Sequence, residues 1–291
     1  MNDVYLNGEF VKAEEAKISV FDQGLLYGDG IYESFRSVGP HLYQFPKHYQ
    51  RLRQSAEALF YPMNFTQAEL ESILMALREK NGLCDAYYRI TITRGKGQIG
   101  FQRNLGNHLT CLIIAREFEP FADAHYAQGI QLRLAKTRRN APEAINPQIK
   151  SISNLNSLLG KLEAKAYGAF EVIMLNNKNH ICEGASSNIF WVKDQWVFTP
   201  DASTGILEGV TRATIMRLCE EELNLRVVTG EFKMQDLKYA DEVFITSTSL
   251  EVMPVIKVDD FMINQGLVGA TAWHLREALH RDMGQVALPG E

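Results

Sequence analysis

Cys182-Glu183-Gly184-Ala185-Ser186-Ser187-Asn188-Ile189-Phe190 sets a carboxylate at the end of one expected strand and small residues before the next. His180 to Cys182 reads as the return arm of a hairpin from Phe170 to Leu175, turned across Asn176-Asn177-Lys178-Asn179. Asn188 to Val192 then pairs with Trp196 to Thr199 across Lys193-Asp194-Gln195. Taken alone, Glu183 is a turn residue. A carboxylate in that position is also able to hydrogen-bond a buried, protonated ring nitrogen.

Further along the chain, Gly205-Ile206-Leu207-Glu208-Gly209-Val210-Thr211-Arg212 opens a helix predicted from Thr211 to Leu223. Backbone N–H groups at a helix start, next to a hydroxyl, suit an anion. Ser247-Thr248-Ser249 ends an apolar strand over Glu242 to Thr246, so three hydroxyls sit at a strand-to-loop turn. Singly, these features are an N-cap and a serine/threonine turn. Upstream, Lys150 lies between two isoleucines in Ile149-Lys150-Ser151-Ile152, just before a helical run over Ser157 to Tyr167. A desolvated lysine has a lowered pKa, and its amine attacks carbonyls. Arg51, in His48-Tyr49-Gln50-Arg51-Leu52, adds a cation on a predicted helix.

These parts together suit one cofactor. Pyridoxal 5′-phosphate needs an amine for its aldehyde, an acid for its ring nitrogen and an anion cup for its phosphate. The composition is compatible. A net charge of −5 argues against a general nucleic-acid surface. Cys84, Cys111, Cys182 and Cys219 are far apart, which suggests neither a metal site nor a disulfide framework, and fits a reducing cytoplasm. No signal peptide is read at the N-terminus, and no apolar run reaches the ~18 residues of a membrane span.

Periodicity places two mixed α/β domains of an α+β protein: residues 1–116, a linker over 117–127, and 128–291. In the first, Asn7-Gly8 turns a hairpin, Ile31 to Val38 is a strand, and Lys47 to Leu59 and Thr66 to Lys80 are helices. Thr66 and Glu69 form a capping box. Ala86 to Thr93 and Leu109 to Ala115 are strands. In the second, Ile130 to Leu134 is a strand and Trp273 to Met283 a terminal helix. Gly95 to Gly106 holds four glycines and predicts a mobile loop.

The sequence resembles the class IV aminotransferases, the fold-type IV pyridoxal-phosphate enzymes of the D-amino acid aminotransferase-like fold. The resemblance runs from about residue 3 to residue 256. It rests on Asp22-Gln23-Gly24-Leu25-Leu26-Tyr27-Gly28-Asp29-Gly30-Ile31-Tyr32-Glu33, on Arg51-Leu52, on Arg89 to Gly95 and on Lys150 with Asn154. The 182–190 and 205–212 stretches quoted above and Ala240-Asp241-Glu242-Val243-Phe244 complete it.

Carried over by position, the resemblance implies that Lys150 bonds the cofactor aldehyde and shuttles the substrate proton. It implies that Glu183 pairs with the ring nitrogen and that Arg139 supports that end. Arg51, the Val210 and Thr211 amides and Thr248 would bind phosphate, and Leu207 would pack on the ring. Tyr27, Tyr32, Arg36, Tyr87, Arg89 and Ser249 would shape the substrate pocket. No metal is implied. A homodimer is implied, with Tyr27 and Arg103 expected to reach the partner's site.

Tyr87-Tyr88-Arg89 resembles the Tyr-x-Arg segment of branched-chain enzymes, which points to a branched-chain donor and a 2-oxo acid such as 2-oxoglutarate as acceptor. Leu155 departs from that branch, which carries a tyrosine there. Lys96 to Phe101 lacks the Arg-x-His trap of D-amino acid enzymes. Aminodeoxychorismate lyase, D-amino acid transaminase and a non-catalytic cofactor-binding homologue are the alternatives.

Overall fold

The computed structural model describes residues 2–100 and 108–284. Arg103 and residues 101–106 of the glycine-rich loop lie outside them. The chain divides into two compact units, one of residues 1–119 with 149–153, the other of 120–148 with 154–291. Periodicity alone keeps 149–153 in the second segment, whereas these residues pack with the first unit.

The first unit begins with β1 (Asp3–Leu6) and β2 (Glu9–Lys12), joined by Asn7 and Gly8 at φ 51° and 105°. That left-handed pair is what an Asn-Gly hairpin turn requires. A five-residue helix not expected from periodicity, α1 (Gln23–Tyr27), follows. It is started by Asp22, whose buried carboxylate accepts hydrogen bonds from Gly24 N, Thr93 Oγ1 and Thr110 Oγ1. Next come β3 (Gly30–Val38), β4 (His41–Leu42), α2 (Phe45–Ala58) and α3 (Gln67–Lys80). The Thr66–Glu69 capping box is present and is worth about 1 kcal/mol. β5 (Ala86–Thr93) and β6 (Thr110–Glu117) complete an antiparallel sheet in the order β2-β1-β6-β5-β3-β4.

Alternation gives this sheet two different faces. Ile31, Phe35, Tyr88, Ile90 and Ile92 are buried with Phe45 and Leu52 of α2 and Leu70, Leu74 and Leu77 of α3. Glu33 falls on the same face as Ile31 and Phe35, as a period of two demands.

The second unit contains α4 (Asp123–Gln128), a helix that starts inside the stretch expected to be linker, 117–127, and ends one residue beyond it. It continues with β7 (Ile130–Leu134), α5 (Leu155–Ala166), β8 (Glu171–Ile173), β9 (Asn188–Lys193) and β10 (Trp196–Pro200). Then follow α6 (Val210–Glu221), β11 (Arg226–Gly230), α7 (Met234–Lys238), β12 (Glu242–Ser247), β13 (Glu251–Val258), β14 (Phe261–Met262) and α8 (Ala270–Asp282). The sheet order is β11-β10-β9-β12-β13-β7-β8, with β14 on β13, and it mixes parallel and antiparallel pairs. Periodicity does not predict β11 or β13. β13 carries Pro254, a residue that argues against an interior strand. Here it lies between β12 and β7, with a register shift between Val255 and Lys257 on the β7 side. No helix among the described residues is long and apolar enough to cross a membrane.

Candidate active site

Lys150 is held on the first unit by its main chain. Residues 150–152 run along the edge of β3: Tyr32 N donates to Lys150 O at 2.9 Å, Ile152 N donates to Gly30 O at 2.9 Å, and Ile31 bridges Ser151. Lys150 N donates to Ser55 Oγ of α2 at 3.1 Å. Gly30 makes the close approach possible. A Cβ there would stand 2.6 Å from Ile152 Cδ1 and 3.1 Å from the Ile92 carbonyl oxygen. The lysine is half-buried, with Nζ 4.6 Å from the centre of the Tyr32 ring. No carboxylate among the described residues pairs with its amine.

Tyr32, Arg36, Tyr87 and Arg89 share the sheet face opposite the α2–α3 core, since β3 and β5 pair Arg36 with Tyr87 and Tyr32 with Thr91. The Arg89 guanidinium lies 3.9 Å from the Tyr32 ring centre. Arg36 is buried and stacks on Phe118 at 3.7 Å. Tyr27, at the end of α1, is exposed and its hydroxyl accepts from Gly100 N at 2.6 Å. On the core face, Arg51 forms a fork with buried Glu33 at 2.6 and 2.8 Å, and His48 Nδ1 lies 2.8 Å from the same carboxylate.

On the second unit, Glu183 is buried, and its Oε1 pairs with Arg139 Nη2 at 2.6 Å. Its Oε2 accepts from Asn188 Nδ2 at 3.1 Å and from Leu207 N at 3.2 Å. Asn188 Nδ2 also donates to Leu207 O at 2.9 Å, so one amide ties the acid to the leucine. Sequence reasoning gives Asn188 no role, although a polar residue opening a strand that is buried up to its last residue is itself a signal of a hydrogen-bonding duty. A second missed residue is Glu171, which is fully buried. It accepts from Val172 N, Ala185 N, Ser186 Oγ and Lys161 Nζ, and thereby shapes the loop after Glu183.

The helix start lies one residue earlier than expected. Gly209 is the N-cap of α6, without a side-chain cap, and Val210 and Thr211 are its first two residues. A Cβ on Gly209 would clash with Asn188 Oδ1, so glycine is what lets the helix start approach the Glu183 network. Arg212 has a structural duty: it is buried, and its Nη2 donates to Pro200 O at 2.9 Å. Burial lowers its pKa from the usual value. Thr248 and Ser249 are half-buried in the turn after β12. That turn is anchored by Ser247 Oγ, which accepts from Leu250 N at 3.2 Å, and by Glu251. Glu251 adopts φ 54° and is gripped by Arg276 Nε at 2.8 Å and His280 Nε2 at 2.9 Å on α8. Burial pushes its carboxyl up, but the His280 and Arg276 contacts outweigh burial and hold it at about 2.

The structure therefore collects Lys150, Tyr32, Arg36, Tyr87, Arg89 and Arg51 on the first unit. It collects Glu183, Arg139, Leu207, Val210, Thr211, Thr248 and Ser249 on the second. No group of side chains able to hold a metal ion occurs among the described residues.

Residues 30–258 match the family model of the class IV amino-transferases. A Methanocaldococcus jannaschii protein assigned as a branched-chain-amino-acid aminotransferase is 36% identical over 274 residues, covering 94% of each chain. A Staphylococcus epidermidis D-alanine aminotransferase is 33% identical over 287 residues, covering 97% of this chain and 98% of the other. The crystal structure of an Escherichia coli branched-chain amino acid aminotransferase superposes with a TM-score of 0.92 at 31% identity, over 96% of this chain and 94% of that one. A second branched-chain enzyme, solved with pyridoxamine 5′-phosphate, superposes equally well, with a TM-score of 0.92 at 29% identity over 98% of this chain and 95% of that one.

Proposed function

The chain belongs to the class IV aminotransferase family, and from that premise we propose that it transfers the amino group of a branched-chain amino acid to a 2-oxo acid such as 2-oxoglutarate, using pyridoxal 5′-phosphate. The observation that carries this reading is Lys150. Its main chain is pinned to β3 and α2, while no carboxylate among the described residues pairs with its amine. A lysine whose main chain is held in this way, with no carboxylate partner among the described residues, suits an aldehyde.

The residues present fit the cofactor. Lys150 supplies the amine for its aldehyde. Glu183 supplies a buried carboxylate for its ring nitrogen, and Arg139 pairs with the carboxylate oxygen at 2.6 Å. The uncapped start of α6 supplies the Val210 and Thr211 amides for its phosphate. The Thr246 hydroxyl, one residue before the Ser247-Thr248-Ser249 turn, is buried without a partner, so this strand end already carries polar capacity the fold does not consume.

When bound, pyridoxal phosphate supplies an electron-withdrawing ring that stabilises negative charge on the substrate α-carbon. Lys150 Nζ takes the α-proton as general base. Glu183 holds a proton on the ring nitrogen. Arg139 and Asn188 hold Glu183 in place, and the Leu207 side chain would pack against the ring. Val210 N, Thr211 N and Thr248 on the second unit, and Arg51 on the first, would hold the phosphate. Tyr32, Tyr87, Arg36 and Arg89 orient the substrate acids, with Arg89 addressing the acceptor carboxylate. The 2-oxo acid derived from the donor leaves before the acceptor occupies the same residues, which gives ping-pong kinetics.

A donor screen on the holoprotein, read as bleaching of the cofactor absorbance, tests the reading. L-leucine should bleach it. A response to D-alanine alone would shift the assignment to D-amino acid transfer, in line with the Staphylococcus epidermidis relative. Pyruvate released from aminodeoxychorismate would mark a lyase, and silence with every donor a non-catalytic homologue.

We infer also that the chain works as a homodimer. Ile18, Val20, Phe21 and Leu25 are exposed on the first unit, and Leu155, Leu158, Leu159 and Leu162 on α5 of the second. Two such apolar rows are more than a solvated surface ordinarily carries. Sedimentation velocity at micromolar concentration should show the dimer mass. A monomer there would remove this part of the proposal.

A further inference from the structure

Glu33 is a costly residue for the position it occupies. Its side chain is 1% exposed, on the core face of β3 between Ile31 and Phe35. A carboxylate in such a place destabilises the fold unless it is paired and fully hydrogen-bonded. Here it is both. Oε1 accepts from Arg51 Nε at 2.6 Å and Oε2 from Arg51 Nη2 at 2.8 Å. His48 Nδ1 stands 2.8 Å from Oε2. Burial pushes the Glu33 carboxyl up, yet the Arg51 charge and the contacts from Arg51 and His48 outweigh it and hold the carboxyl at about 2. Burial also lowers the pKa of His48.

The geometry of the fork matters more than its strength. A two-point contact through Nε and Nη2 fixes the guanidinium plane as well as its position. It uses the Nε edge, so the Nη1 end of the group is directed away from Glu33. The helix that carries Arg51 also carries Ser55 one turn later, and Ser55 Oγ holds Lys150 N at 3.1 Å. One face of α2 therefore registers both the arginine and the lysine stretch against β3.

We propose that Glu33 is a positioning residue, whose carboxylate clamps Arg51 so that the far edge of the guanidinium is presented to the cofactor phosphate. The proposal rests on the reading of Arg51 as a phosphate ligand. Phosphate recognition should then depend on Glu33, whose own carboxylate oxygens are engaged by Arg51 and His48.

The test compares two ligands that differ only in the phosphate. Apoprotein is titrated with pyridoxal 5′-phosphate and with pyridoxal, for wild type, Glu33→Gln, Arg51→Gln and the double variant. Glu33→Gln should lose roughly tenfold or more of the preference for the phosphorylated ligand, with pyridoxal affinity held within about threefold. The double variant should lose no more than Arg51→Gln alone, since both act on one contact. If Arg51→Gln keeps the wild-type preference, the reading of Arg51 itself fails. If Arg51→Gln loses the preference and Glu33→Gln keeps it, the positioning role fails while Arg51 stands. Equal weakening of both ligands in Glu33→Gln would reduce Glu33 to a structural residue and overturn the proposal. Should Glu33→Gln not fold, Glu33→Asp keeps the charge and draws the guanidinium back by one methylene. It should show the same selective loss, and an unchanged preference there would count against the clamp.

Discussion

Lys150→Ala should cost roughly 10²–10⁴-fold or more in kcat/KM, the range expected when a positioned general base is removed. The loss should be almost purely chemical. The contacts that hold residues 150–152 are main-chain ones, from Lys150 N to Ser55 Oγ and between Lys150 O and Tyr32 N, and alanine keeps them all. The thermal midpoint should therefore stay near wild type, apart from the contact between the ammonium and the Tyr32 ring. Borohydride reduction of wild-type holoprotein should fix the cofactor on the peptide containing Lys150, and on no peptide of the variant. Label on another lysine, or a variant within tenfold of wild-type activity, would refute the assignment.

Glu183→Gln should damage both rate and stability, for separable reasons. The carboxylate meets Arg139 at 2.6 Å, with the two side chains only 8% and 13% exposed. Neutralising one member of such a pair leaves a largely buried charge without its counter-ion, at a cost of about 3 kcal/mol. The rate should fall because glutamine cannot hold a proton on the ring nitrogen as a carboxylate does, and a loss of roughly 10²-fold or more is expected. Adding Arg139→Met should restore much of the unfolding free energy in a urea titration while leaving kcat low. Recovery of kcat in the double variant would show that Glu183 serves only to pair Arg139.

Much of this site was legible in the chain because its groups lie in short, chemically specific stretches. Lys150 between isoleucines and Glu183 before a small-residue loop stand out by residue type alone. Glu33 was legible in principle, since the alternation Ile31-Tyr32-Glu33-Ser34-Phe35 puts a carboxylate on the buried side. What alternation cannot supply is the partner, which lies 18 residues away on α2. Asn188 and Glu171 are illegible in the sequence for the same reason: their duties are hydrogen bonds to loops that no periodicity describes. α4 was hidden in a stretch whose apolar residues follow no repeat, and β13 was hidden by Pro254.

Residue order is enough to specify the local features: the Asn7-Gly8 turn, the Thr66–Glu69 cap, and the alternating faces of β3, β5 and β7. These depend on backbone preferences and on neighbours within a turn of one another. Tertiary structure alone decided that the Lys150 stretch joins the sheet of the first unit, that Arg51 is forked by Glu33, and that a proline-bearing strand sits inside the second sheet. Each of those outcomes is set by contacts between groups distant in the chain, such as Lys150 and Ser55 at a separation of 95 residues. Burial and hydrogen-bond satisfaction choose among such pairings only after the chain has folded back on itself.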